Sequence, residues 1–347
     1  MILPLETFRG IFALIIVLHH LKIDTFIQNF RIILNGGLVV DFFFVLSGFV
    51  ISLNYLDKIK SKIDLINFQK KRFLRLYPLH ILTLFVFIII ELIKLYVNNY
   101  TGLQTRYEPF SDFNNFYSLF ANFFLLHGWY GWSFNLPSWS ISTEFYTYLI
   151  FGLIVLFSRY RVISFIIFII LSLSILILNN FGLENLEKFV YPSRCIYSFF
   201  LGAITYQFYK KFKNSSTLIS IVLVIFSIIF IHSSDYFLLN NKYILAPLIF
   251  SFTIYFISNL NHETLFYKML ANKFTVYLGS ISYGVYMIHF ALVWFFRQFS
   301  RFYLNIPSNG EYLVFNNYYG EILTILFLMF VIGISHLSLK YFESRFR

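Results

Sequence analysis

Apolar residues along this chain come in long runs, not in alternation. Residues 81–90 with their flanks, 162–178, 218–231, 244–257 and 322–339 are built almost entirely of Ile, Leu, Phe and Val, broken mainly by single polar residues. Each run is long enough, or nearly so, to cross about 30 Å of hydrocarbon as a helix. A helix is the form to expect there, because it satisfies its backbone hydrogen bonds within one segment and lipid offers no partners. The pattern therefore predicts an all-α fold, a polytopic membrane bundle of about ten transmembrane helices forming a single domain over residues 1–347. The first apolar segment contains RGIFALIIVLHH, with Arg9 and His20 inside it and no small-residue cleavage site after it. It reads as a retained helix and not as a signal peptide.

Composition agrees with the pattern. Of 347 residues 59% are hydrophobic and 12% charged, with a mean hydropathy of +0.71, whereas soluble domains carry about 25% charged residues. The net charge of +11 would fit a nucleic-acid binder, but the basic residues are sorted by connection, as membrane topology requires. Residues 57–75 hold Lys58, Lys60, Lys62, Lys70, Lys71, Arg72 and Arg75, and short connections this basic stay in the cytoplasm. Two crossings precede them, so the N-terminus is expected there too. Arg159, Arg161, Lys210, Lys211, Lys213, Lys268, Lys273, Lys340, Arg345 and Arg347 fall on the same side if residues 116–127, too short for a span, do not cross. That gives ten crossings, both termini cytoplasmic, and 18 of the 27 basic residues inside. The lone Cys195 excludes an internal disulfide. No His-Glu-x-x-His, Gly-x-Ser-x-Gly or Walker motif is present, so no metal is expected.

Ionisable residues inside a span are costly and point to function. Arg9 and His20 are eleven positions apart, about 16 Å along one helix face. With Arg9 at the inner edge, His20 lies near the midplane. His19 points about 100° away and is the expected core histidine. Glu144 shares a face with Ser140 and Tyr148 and needs a partner: His20, the acceptor, or an arginine or tyrosine. Ser282, Tyr286 and His289 form one helical stripe. Asp41 is expected to pair with Arg9 or His20, and Glu91 with Lys94. Trp139, with Trp129 and Trp132 nearby, could stack on a sugar ring or belong to an interfacial belt.

Five stretches, in order, resemble the acyltransferase 3 family of integral membrane enzymes that acylate sugar hydroxyls. They are LETFRGIFALIIVLHH with Arg9 and His20; GGLVVDFFFVLSGFVIS at 36–52 with Asp41; KRFLRLYPLH at 71–80 with Arg72, Arg75 and Pro78; LPSWSISTEFY at 136–146; and LGSISYGVYMIHF at 278–290, followed by KYFESRF with Glu343. The fourth departs from the family pattern, with Ile141 where leucine is usual and Glu144 as its one acidic residue. The resemblance implies an O-acyltransferase, in the first place an O-acetyltransferase, with acetyl-CoA as donor and a cell-surface or exported glycan or glycolipid as acceptor. Separate glycan-assembly proteins are candidate partners, and the bacterial cytoplasmic membrane is the expected location. It implies His20 as the catalytic group, whether base or transient nucleophile; Glu144 is the second catalytic candidate, to orient His20 or meet the acceptor. Arg9, Arg72 and Arg75 would hold the donor phosphates, for which the forked guanidinium is suited. Asp41, Trp139, Ser282, Tyr286 and His289 are the candidates for the acceptor side. A glycolipid or proton-coupled transporter is the alternative, weakened by the absence of an internal repeat.

Overall fold

The computed structural model of the chain describes residues 2–101, 108–130, 133–181, 186–213, 215–236, 241–315 and 318–346; Trp132 lies outside them. In chain order the helices are α1 (Leu3–Leu21), α2 (Arg31–Leu34), α3 (Val39–Tyr55), α4 (Lys62–Tyr100), α5 (Phe116–Phe123), α6 (His127–Tyr130), α7 (Trp139–Phe157), α8 (Arg161–Asn180), α9 (Glu187–Lys211), α10 (Thr217–Ser233), α11 (Asn241–Ser258), α12 (Leu265–Leu270), α13 (Lys273–Phe302) and α14 (Tyr319–Tyr341). The described strands are two two-residue pieces, β1 (Ser308–Asn309) and β2 (Tyr312–Leu313).

Among the described residues nine helices are long and apolar enough to cross a membrane. The helix α9 is long enough as well, at 25 residues, but is less apolar because it carries Arg194 at its buried side. With it the bundle has the ten long helices that the apolar runs predict. Residues 116–127 hold no helix long enough to cross: they contain the eight-residue α5 and a break at Leu125, whose φ is 56°.

The basic stretch 57–75 is not a loop. Helix starts at Lys62, where Ser61 and Asp64 form a reciprocal capping box, and runs unbroken through Arg72 and Arg75 into the membrane-spanning part of α4, 39 residues in all. Fixed on one rigid helix three positions apart, these arginines share a face. Farther along, Glu91 pairs with Lys94 at 2.9 Å and also accepts from Asn114 and the Phe110 amide, which ties down the segment after α4.

Burial separates centre from periphery. In α3 and α13, 72% and 67% of the span is buried, against 17%, 28% and 22% in α8, α10 and α14, whose outward Ile, Leu and Phe side chains face lipid. Two helix crossings at the centre are made backbone to backbone. A Cβ on Gly48 of α3 would stand 1.8 Å from the Phe199 carbonyl oxygen of α9, and one on Gly202 of α9 would stand 1.9 Å from that of Val45. Likewise, a Cβ on Gly279 of α13 would meet the Glu6 carbonyl of α1 at 2.2 Å. Small residues allow this approach, and dispersion across it replaces the hydrophobic drive that lipid removes. Gly48→Ala should therefore destabilise the solubilised protein by about 1–3 kcal/mol, as overpacking does, whereas Gly37→Ala, with open space around its Cβ position, should not. Thermal unfolding in detergent reads the difference.

Candidate functional site

A cleft of about 630 Å³ opens beside the start of α4 and runs inward between α1, α3, α4, α7 and α13. Exposed Lys71 and half-buried Arg72 and Arg75 come from α4, and Arg9 joins them from α1. Farther in are Glu144 and Ser140 of α7 and Ser282 and Tyr286 of α13. Six residues singled out in the sequence thus share one cavity: Arg9, Arg72, Arg75, Glu144, Ser282 and Tyr286.

The cleft carries four cations against one carboxylate. Arg9 is held by Glu6 at 2.9 Å, one turn earlier on α1. The Arg72 guanidinium donates to the Tyr55 hydroxyl at 3.2 Å, and Arg75 lies over the Tyr283 ring. Glu144 accepts from the Tyr148 hydroxyl at 2.5 Å, which in turn contacts Ser47 at 2.9 Å. Its partner is thus a tyrosine on its own helix face and not His20. The inner end is closed by the Tyr286 hydroxyl, 2.7 Å from both Ser140 Oγ and the Pro137 carbonyl, which fastens α13 to the start of α7. Ser282 donates to the Gly279 carbonyl of its own helix.

One helical turn past Tyr286, outside the cleft lining, α13 presents fully buried His289, whose Nε2 is 3.2 Å from Nδ1 of His20. Phe290 packs edge-on to the His20 ring at 5.4 Å. His20 stands in the last turn of α1, yet α13 continues thirteen residues past His289, about 20 Å. The pair is therefore near the middle of α13, and the segments 22–35 and 303–315 lie at the end of α1. They are stitched together by the Asp24 and Leu313 amides, which donate to the Leu313 and Lys22 carbonyls. His20 is half-buried, and among the described residues the hydrogen-bonding contacts of its ring are made through Nδ1. His19 faces the other way, with Nδ1 2.9 Å from the Ile33 carbonyl, and Gly36 packs so closely on it that a Cβ there would stand 2.9 Å from His19 Cβ.

Asp41 and Trp139 belong to a different cluster. Asp41, completely buried, pairs with Arg194 of α9 at 2.8 Å, not with Arg9 or His20. Arg194 also lies over the rings of Tyr243 at 3.8 Å and Trp139 at 5.4 Å. Tyr191 packs on the same indole at 4.6 Å, so its faces are occupied by protein. Residue spacing could not single out Arg194 as that partner. Its signal was an arginine alone in an apolar stretch, which inside a membrane calls for an anion. Glu6, one turn before Arg9, and Tyr283, one position after Ser282, were likewise unremarked parts of the cleft region. Among the described residues no cluster of three or more His, Cys, Asp or Glu is gathered as for a metal ion.

Comparison with curated proteins and with solved structures finds no match. Among protein families the chain matches an acyltransferase domain over residues 3–337, the same family that its five motifs resemble. With essentially its whole length covered, the chain, a polytopic membrane protein, belongs to the acyltransferase 3 family.

Proposed function

We propose that this membrane acyltransferase moves an acyl group, acetyl in the simplest case, from acyl-CoA to a hydroxyl of a cell-surface or exported glycan or glycolipid in the bacterial cytoplasmic membrane. The observation that carries the reading is a cleft with four cations at its mouth and one carboxylate inside, ending one helical turn short of the His20–His289 pair. Arg9, Lys71, Arg72 and Arg75 suit a polyphosphate, and a volume of about 630 Å³ lies within the usual range for small-molecule sites. Basic residues mark cytoplasmic connections, so the mouth and both termini face the compartment in which acyl-CoA is made.

In this reading the free Nε2 of His20 takes the proton of the acceptor hydroxyl while its oxygen bonds to the acyl carbon. The carbon–sulfur bond then breaks, and the proton passes from Nε2 to the departing thiolate. Imidazole, with an ordinary pKa of about 6.5, can take and return a proton near neutrality. The apolar walls around the pair limit competing hydrolysis.

The test is NMR of surface polysaccharide and glycolipid from the host with the gene intact, deleted and restored. Loss of O-acyl signals on deletion and their return on restoration support the reading; unchanged acylation with altered glycan export would favour a transporter. With purified protein, Arg72→Ala and Arg75→Ala should each raise KM for acyl-CoA by about tenfold, the loss of roughly one charge-assisted hydrogen bond. Their kcat should stay within about twofold, the mark of lost ground-state binding.

A further inference from the structure

We infer that His289 is the positioning residue that fixes the tautomer and ring orientation of His20. The inference rests on the reading of His20 as the reacting base. His289 Nδ1 lies 3.0 Å from the Val285 carbonyl. A carbonyl oxygen only accepts, so this nitrogen carries the proton, and Nε2 of the neutral ring is an acceptor. That acceptor faces His20 Nδ1 at 3.2 Å, and His20 Nδ1 also stands 3.0 Å from the Ile16 carbonyl. Both neighbours of His20 Nδ1 are thus acceptors, and the proton of His20 belongs on Nδ1. Its Nε2 is left with the lone pair, on the side of the ring away from His289 and with no hydrogen-bond partner among the described residues.

The relay reads Val285 carbonyl, His289, His20, free Nε2, and every member has one consistent hydrogen-bonding role. It is also suited to the loaded state. When His20 gains a second proton its Nδ1–H becomes a stronger donor, and the acceptor it needs is already in place and fully buried. The Ile16 carbonyl alone would leave the ring free to turn about its own helix, out of reach of that carbonyl, and the preference for a proton on Nδ1 would go with it. His289, on a different helix, removes that freedom. The distance between the two helices is fixed by the Gly10 and Gly279 crossing, where an added Cβ would come within 2.6 and 2.2 Å of the opposite helix. His289 does not line the cleft and is not assigned to either substrate.

The experiment compares His289→Ala and His289→Gln in the full-length protein in detergent. The glutamine amide oxygen can accept from His20 Nδ1–H at similar reach, whereas alanine cannot. His289→Ala is expected to lower kcat by about 10–100-fold, as loss of an orienting partner does, with KM for acyl-CoA unchanged, and His289→Gln to recover most of the loss. Equal kcat in wild type and His289→Ala overturns the inference, as does an equal loss in both variants when each remains monodisperse. A readout that needs no turnover is 15N NMR of histidine-labelled protein, with His20 assigned by its disappearance in His20→Ala. A proton on Nδ1 in wild type and a mixture of tautomers in His289→Ala support the inference; a proton on Nε2 in wild type overturns it. If no acyl transfer is found but the tautomer is as stated, the acyltransfer reading of the site fails and the positioning role stands.

Discussion

His20→Ala is expected to lower acyl transfer by about 10²–10⁴-fold, the usual worth of a positioned general base, with the protein still present in the membrane at its normal level. The side chain is half-buried at the end of α1 and makes no hydrogen bond through Nε2 among the described residues. Removing it deletes chemistry and little packing. The control is its neighbour. His19 anchors the Ile33 carbonyl, so His19→Ala should cost about 1 kcal/mol of stability and leave kcat within a few-fold of wild type. Initial rates on purified protein, with thermal unfolding alongside, separate the two. If His19→Ala loses turnover and His20→Ala keeps it, the catalytic assignment is wrong.

The largest effect on stability is expected at Asp41 and Arg194. Their side chains are 0% and 5% exposed and meet at 2.8 Å. Asp41→Ala would leave a guanidinium buried among Tyr243, Trp139 and the Gly37 carbonyl with no counter-charge. Breaking one half of a buried pair costs about 3–5 kcal/mol, whereas replacing both halves by apolar groups of similar size can be neutral. Asp41→Leu combined with Arg194→Met should therefore unfold at a higher temperature than either single variant. The same series tests whether Asp41 serves the acceptor. In a purely structural role, the double variant keeps KM for the acceptor close to wild type; a raised KM in a well-folded double variant would return Asp41 to the substrate.

What could be read from the residues follows from the range of the interactions. Arg9 and His20 lie on one helix, so their separation follows from helical rise alone. The arginines at 72 and 75 and the stripe from Ser282 to His289 are legible for the same reason. The ten long helices and the short segment 116–127 follow from run length. The pairing of Asp41 with Arg194 spans 153 residues and that of His20 with His289 spans 269. Neither can be read from spacing, because each depends on which helices become neighbours. The local error was different: residues 57–75 read as a connection because charge dominates them, although Ser61 and Asp64 already had the capping spacing that starts α4.

The glycine crossing between α1 and α13 divides the enzyme into a part that resists change and a part that accepts it. With Gly10 and Gly279 holding the two backbones together, the relative placement of His20 and His289 is set apart from the cleft walls that other helices contribute. Phe43 of α3 and Ile141 of α7 line the cleft from other helices. Reshaping those walls is expected to leave the two histidines where they are, so if the cleft takes the acyl donor as proposed, donor selectivity can be altered without moving His20 or His289.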